Sequence, residues 1–144
     1  MKQFLLLAAL TLAGATAAAA QTLKPTEVPA AARATFEAKF PTVKTNTWEK
    51  EGDKFEAGFK LNGRPMSAVI TPAGELLETE TDLDPAQLPA AVRAALARDY
   101  QAYKITEAAA LVSKSGVTTY EAEVMKDGKK QDVVFNADGT LAGK

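Results

Sequence analysis

Apolar and polar residues alternate along two stretches of the chain, residues 55–61 and 120–124. A period of two residues is typical of β-strands that bury one face. The inward residues are Phe55, Ala57, Phe59 and Leu61 in the first stretch and Tyr120, Ala122 and Val124 in the second. The outward residues are Glu56 and Lys60 in the first and Glu121 and Glu123 in the second. Both stretches are predicted to be strands of a sheet with one apolar face.

A hairpin turn is predicted after each of these strands. Asn62-Gly63 and Asp127-Gly128 are the dipeptides that a type I′ turn favours, because both of its central residues need a positive φ. Third strands follow, with inward positions from Met66 to Ile70 and from Gln131 to Phe135. First strands are predicted at residues 47–50 and 110–113, ahead of the alternating stretches.

Two amphipathic helices are predicted at residues 28–40 and 88–100. Apolar side chains recur every four residues in both segments, and Pro29 and Pro89 stand at their starts, where a missing N–H costs little. Residues 84–87 have the spacing of a capping box and predict a short turn before the second helix.

The elements occur twice, which predicts a duplicated chain. Matching landmarks lie 60 residues apart at the helices and 65 residues apart at the later strands, so the second copy has five extra residues, within residues 107–119. The predicted repeats are residues 27–83 and 84–144. The expected fold class is α+β, in which each copy has one helix and three to four antiparallel strands and the helices cover one face of the sheet.

Residues 1–20 have the order of a secretory signal peptide, with Lys2 first, then an apolar run and an alanine tract. We predict cleavage near Ala20, a flexible lead-in at residues 21–26, and export to the periplasm or the extracellular space without a stable membrane anchor. The chain has 17 basic and 18 acidic residues, a net charge of −1. This balance argues against nucleic acid as a partner.

Catalytic chemistry has few candidates in this sequence. The chain has no Cys and no His, which removes the commonest nucleophile and the commonest general base. Its carboxylates are expected on open, wet surfaces, where the pKa of an acid is hard to raise. Hydrolysis would need a deep pocket with two close carboxylates, and we expect none. The sequence predicts a protein that is not an enzyme and has no cofactor.

Three sets of residues are candidates for binding. Trp48, the single Trp, is an exposed anchor for a partner or, as we favour, a core residue. The outward set Glu56, Lys60, Glu121 and Glu123 is a solvated face, which we favour, or a docking surface for a protein. The acidic run Glu78, Glu80, Asp82 and Asp84 shares one side of an extended segment. It could bind a hard cation such as Ca²⁺, although a solvated strand leading into a linker is favoured.

The repeated Leu/Val-Pro-Ala-Ala segments, the stretch Tyr120-Glu-Ala-Glu-Val and the segment from Val133 to Gly139 resemble the PepSY-like family. That family is grouped with the β-lactamase-inhibitor-like fold, in which helices pack on one face of an antiparallel sheet across tandem repeats. The resemblance spans residues 27–141. Gly58 and Pro65 depart from the second copy and indicate a bulged or edge-like first repeat.

The resemblance implies an exported binding module, and related domains in protease precursors imply inhibition of a peptidase or another hydrolase. It assigns no functional residue. We therefore expect an unidentified protein partner, such as an exported hydrolase that the module inhibits or chaperones. The alternative is a small-ligand-binding or cation-binding periplasmic protein.

Overall fold

The structure, a computed structural model, describes residues 22–143. The strands are β1 (Thr22–Leu23), β2 (Asn46–Glu51), β3 (Lys54–Leu61), β4 (Arg64–Ile70), β5 (Leu76–Leu83), β6 (Lys104–Ser113), β7 (Thr118–Lys126) and β8 (Lys129–Phe135). The helices are α1 (Ala30–Lys39) and α2 (Ala90–Asp99). The predicted signal peptide and its cleavage site lie outside the described residues.

All eight strands form one antiparallel sheet in the order of the chain. β5 and β6 join the two halves directly, with a register that runs from Glu78 opposite Ser113 to Leu83 opposite Ala108. The expectation that the acidic segment leads into a linker is therefore wrong. That segment is a central strand, with hydrogen-bonded neighbours on both sides.

The helices begin two residues later than predicted. Pro29 and Pro89 are the N-cap residues in an extended conformation, and their carbonyls accept the first helical hydrogen bonds, from the N–H groups of Arg33 and Arg93. The preceding residue, Val28 or Leu88, is buried in the core instead of extending the helix. Each helix thus has a proline that starts it and an apolar residue that anchors it.

The hairpin turns have the predicted type of backbone. Asn62 and Asp127 are the described non-glycine residues with a positive φ, at 52° and 51°, and each is followed by a glycine with a positive φ. The capping box at Asp84 is also confirmed, since the Asp84 N–H donates to Gln87 and the Asp84 carboxylate accepts from Ala86. These local predictions hold because each depends on residues close in sequence.

The predicted lead-in is ordered from Thr22 onward, which corrects the expectation of a flexible segment. Thr22 and Leu23 pair with Glu49 and Trp48 as an edge strand. The Lys24 N–H then donates to the Glu27 carboxylate over 2.7 Å. This turn lies 60 residues before the Asp84 turn, so the spacing between Pro25 and Pro85 was the signal that could have found it.

Two details of the strands differ from the predictions. The counterpart of Trp48 in the register is Ala108, because Trp48 pairs with Ala57 and Ala108 with Ala122, so the predicted match of residues 110–113 to the first strand is wrong. The extra residues lengthen the β6–β7 hairpin. Gly58 does not bulge the first half, since the register through β2, β3 and β4 is unbroken.

The core lies between the helices and one face of the sheet, in two clusters. The first consists of Val28, Ala32, Phe36, Trp48, Phe55, Ala57, Phe59, Ala68 and Ile70. The second consists of Leu88, Val92, Ala95, Leu96, Ala108, Ala122, Val124, Val133 and Phe135. We call this face the helix-covered face and the opposite one the open face.

Candidate functional site: the open face of the sheet

The open face carries mostly acidic side chains. By strand register its carboxyl groups are those of Glu49, Glu51, Glu56, Glu78, Glu80, Asp82, Glu107, Glu121, Glu123 and Asp132. Its lysines within the described strands are Lys54, Lys60, Lys104 and Lys130. A chain with nearly balanced charge therefore has a face on which negative groups predominate.

Trp48 does not belong to this face. It is 4% exposed, lies in the first core cluster, and meets Phe36 edge to face with ring centroids 5.6 Å apart. This is the core interpretation. The structure thus corrects the alternative, in which Trp48 is an exposed anchor for a partner.

Glu80 is the most deeply buried acid of the open face. It is 3% exposed, and its register neighbours are Ser67 on β4 and Leu111 on β6, which are also buried. Its Oε1 atom has no hydrogen-bond partner among the described residues. Burial raises the pKa of Glu80 to about 8, and the charges of nearby acids, Glu121 first among them, raise it further.

Glu121 lies two strands away and behaves similarly. It is 8% exposed, and burial raises its pKa to about 7, with Asp132 as the largest of several acidic neighbours that add to the effect. Burial also raises the pKa of Glu56, although the Ser67 hydroxyl acts in the opposite direction. The expectation that these carboxylates lie on a wet surface with ordinary pKa values is therefore wrong.

Glu123 has polar partners that hold it in place. The hydroxyl of Thr106 donates to its carboxylate, and Lys130 lies 2.8 Å from the same oxygen. Thr106 occupies the register shift in β6 between Ile105 and Glu107. The bulge therefore directs a hydroxyl group towards Glu123.

An acidic cleft lies on the first half of the open face. Its volume is about 650 Å³, and its polar lining includes Thr47, Glu49, Glu56, Lys60, Ser67, Glu80 and Asp82. Gly58 lies in its floor, where an added Cβ would approach Thr47 Oγ1 to 3.0 Å. The residue 65 positions later is Glu123, so the matching place in the second half is filled.

The structure places the predicted site residues in three groups. Glu56 and Lys60 line the acidic cleft, and Glu121 and Glu123 lie further along the same face on β7. Glu78, Glu80 and Asp82 share that face, as predicted. Asp84 does not, because β5 ends at Leu83 and Asp84 caps the following turn.

Sequence reasoning missed the burial of Glu80 and the cleft itself. The alternation of acids in β5 revealed the shared face, but burial depends on β4 and β6, which are distant in sequence. Within residues 22–143, no three His, Cys, Asp or Glu side chains are grouped so that they could hold a metal ion. The same residues include no helix long and apolar enough to cross a membrane.

Solved structures of Bacteroides proteins have the same architecture. A B. eggerthii protein with a suggested periplasmic location has a TM-score of 0.72 at 20% identity, over 79% of this chain and 85% of that one. A DUF2874 family protein of B. ovatus has a TM-score of 0.72 at 19% identity, over 81% and 85%. A BLIP-like protein of B. fragilis has a TM-score of 0.66 at 24% identity, over 81% and 84%. The fold is BLIP-like.

No family model matches the chain, and no curated protein matches it at a significant level. The likeness to solved structures is therefore one of fold. In the BLIP-like fold of this chain, α1 and α2 cover one face of the sheet, and the acidic cleft lies on the other.

Proposed function

We propose that the protein is an exported, non-catalytic binding module of the PepSY-like type, and that it contacts a protein partner through the open face. The observation that carries this proposal is the burial of Glu80, without a hydrogen-bond partner, in an acidic cleft on the face that the helices leave uncovered. A buried polar atom without a partner is unfavourable in the isolated protein, and a ligand that bonds to it removes that cost.

The open face also offers apolar contact area. Val69, Ala109 and Leu111 lie on it by register, among the acids, and are buried at its centre. Protein interfaces commonly combine a desolvated centre with a polar rim. We propose that the partner is an exported hydrolase that the module inhibits or chaperones. Export is supported by the leader pattern and by the suggested periplasmic location of a structural neighbour.

We also propose that residues 27–83 and 84–144 are two copies of one repeat. Equivalent side chains make equivalent contacts: Arg33 Nε donates to the Val28 carbonyl over 3.3 Å, and Arg93 Nε donates to the Leu88 carbonyl over 3.1 Å. The Gly74 and Gly139 turns each approach a helix so closely that an added Cβ would lie within 3 Å of the carbonyl oxygen of Ala31 or Ala91.

Site-specific photocrosslinking in the organism that produces the protein tests the docking proposal. A photoreactive residue at Lys60, on the open face, is expected to capture a partner that the same residue at Glu37, exposed on α1, does not capture. Charge reversal at Glu56, Lys60, Glu121 and Glu123 is expected to abolish that capture. Identical partners from both faces, or from the protein with and without charge reversal, would contradict the proposal.

The alternative function is binding of a small ligand or a cation by the acidic segment. The observation in its favour is that Glu78, Glu80 and Asp82 lie on one face, and two of them line the cleft. Calorimetric titration with Ca²⁺ and a thermal-shift screen of small ligands test it. Absence of heat and of any shift in melting temperature at millimolar Ca²⁺ would exclude the calcium form.

A further inference from the structure

The buried carboxyl of Glu80 has no compensating group in the protein itself. Glu80 is more than nine-tenths buried, lines the acidic cleft, and leaves Oε1 without a hydrogen-bond partner among residues 22–143. The nearby charges that influence it are Glu121, Glu56, Asp82 and Glu78, all negative. A ligand that fits this position must therefore donate hydrogen bonds and carry positive charge.

The cleft has room for a side chain of the partner. Gly58 leaves its floor without a side chain between Thr47 and Ser67, which are its register neighbours on β2 and β4. Pro65 and Met66 add apolar surface beside the acids. A ligand with a hydrocarbon stem and a cationic end would suit this lining, because the stem can pack on the apolar residues while the end reaches the carboxylates.

A guanidinium group suits the cleft better than an ammonium group or a metal ion. It is planar, it donates several hydrogen bonds in a fixed geometry that matches a carboxylate, and it is more weakly hydrated than ammonium. Those properties favour it at a buried acid, where desolvation opposes binding. A hard metal ion would instead need several oxygen ligands around a single point.

We propose that the acidic cleft receives an arginine side chain of the protein partner, with Glu80 accepting hydrogen bonds from its guanidinium group and Glu56 and Asp82 supplying further negative charge. This inference rests on the proposed function, which it deepens by defining the chemistry of the partner surface. An arginine exposed on a loop of the partner fits best, because the open face lies between strands and admits a protruding group.

The test uses three blocked pentapeptides that differ only at the central residue. Their sequence is Gly-Gly-Xaa-Gly-Gly, where Xaa is arginine, lysine or citrulline, the neutral isostere of arginine. Titration into the ¹⁵N-labelled exported protein at low salt is followed by NMR. The arginine peptide is expected to bind most tightly and to shift amide resonances of β3, β4 and β5. Equal binding of the citrulline peptide, or equal binding of spermidine, would overturn the proposal.

Two single substitutions locate the site. Glu80→Gln keeps the shape of the side chain and is expected to weaken binding of the arginine peptide about tenfold or more, because a buried charge-assisted pair is lost. Glu37→Gln, an exposed acid on α1, should bind as the wild type does. Circular dichroism establishes that both variants are folded. Unchanged affinity of a folded Glu80→Gln variant would overturn the proposal.

Proton release provides a second readout. The groups that face Glu80 are Glu56 on β3, Ser67 on β4, Glu78 and Asp82 on β5, Leu111 on β6 and Glu121 on β7. None of them is cationic, so at neutral pH the carboxyl of Glu80 is mostly protonated and must lose its proton to the buffer when a guanidinium binds. Calorimetry in buffers of different ionisation enthalpy should detect this release in the wild type and less of it in Glu80→Gln.

The two proposals fail in different ways. If the open face captures a partner but no arginine peptide binds, the inference about arginine is wrong and the docking proposal stands. If the arginine peptide binds at Glu80 but crosslinking from Lys60 captures no partner, the docking proposal is wrong and the cleft remains a site for guanidinium groups.

Discussion

The two faces of the sheet are built by the same strands, yet they bury different chemistry. On β4, Ile70 is completely buried under the helices, and its neighbour Val69, which faces the other way, is 6% exposed. The helix-covered face buries hydrocarbon, which stabilises the fold by about 25 cal/mol for each Å² removed from water. The open face also buries Glu80 and Glu121, and burial of a carboxylate opposes folding. One face therefore contributes stability, and the other sacrifices part of it.

The largest effect is expected on the helix-covered face. Ile70→Ala leaves a cavity in the first core cluster and should lower the free energy of unfolding by about 3–5 kcal/mol. Urea denaturation monitored by Trp48 fluorescence measures the change. Val69→Ala, one residue away on the open face, is the matched control and should have a smaller effect, because neither helix packs on that side. An equal loss at both positions would break the contrast between the faces.

The pH dependence of stability should reflect the open face. The pKa of Glu80 is raised to about 8 and that of Glu121 to about 7 from the ordinary value of 4.5, so the folded state keeps protons that the unfolded state releases between pH 4.5 and pH 8. Stability therefore falls as the pH rises through this window. We expect a loss of about 3 kcal/mol between pH 5 and pH 9 in urea denaturation. Stability that rises with pH would show that these acids are not buried.

Glu80→Gln should remove much of this loss. At pH 9 the variant has no buried charge at this position and should be about 2 kcal/mol more stable than the wild type, while at pH 5 the two should be nearly equal. Denaturation at both pH values measures the difference. Glu37→Gln, on the exposed side of α1, should leave stability unchanged at either pH. A destabilised Glu80→Gln at pH 9 would mean that the carboxylate has a favourable partner.

Glu121→Gln should act in the same direction with a smaller effect. Its pKa is raised less, to about 7, so the expected gain is about 1 kcal/mol at pH 9. Glu121 is also among the charges that raise the pKa of Glu80. The double variant should therefore gain less than the sum of the single ones, and an additive result would show that the two acids do not interact.

The smallest effect is expected at the rim of the open face. Lys130→Ala removes the contact with Glu123, but the Lys130 side chain is 55% exposed and the Thr106 hydroxyl remains. Exposed ion pairs contribute less than about 1 kcal/mol. Thermal denaturation at low and high salt measures this change. A larger loss would indicate that Glu123 needs Lys130 to remain in place.

Predictions from the sequence were most accurate where the determining residues are close neighbours. The type I′ turn at Asn62 and the capping box at Asp84 depend on two to four consecutive residues, and both are present. The alternation from Phe55 to Leu61 placed Glu56 and Lys60 on one face, because side chains alternate along any strand. The inward assignment of Trp48 followed from its large apolar area.

The acidic residues were interpreted less well. Glu78, Glu80 and Asp82 were expected in a solvated segment, because three charged residues in seven positions rarely form the centre of a sheet. The order β4-β5-β6 places them there, with Ser67 and Leu111 on either side of Glu80. The edge strand at Thr22 was missed for a related reason, since its partner Glu49 lies 27 positions further along the chain.

The sequence by itself determined the local elements of this protein: where helices start, where hairpins turn, and which side chains share a face. These follow from backbone preferences and from the periods of 3.6 and two residues, which act over a few positions. Only the tertiary structure decided that a predicted linker is a central strand, that Gly58 opens a cleft, and that Glu80 is buried without a partner. Burial and pKa depend on the groups that other strands bring within a few ångströms, and no local pattern contains that information.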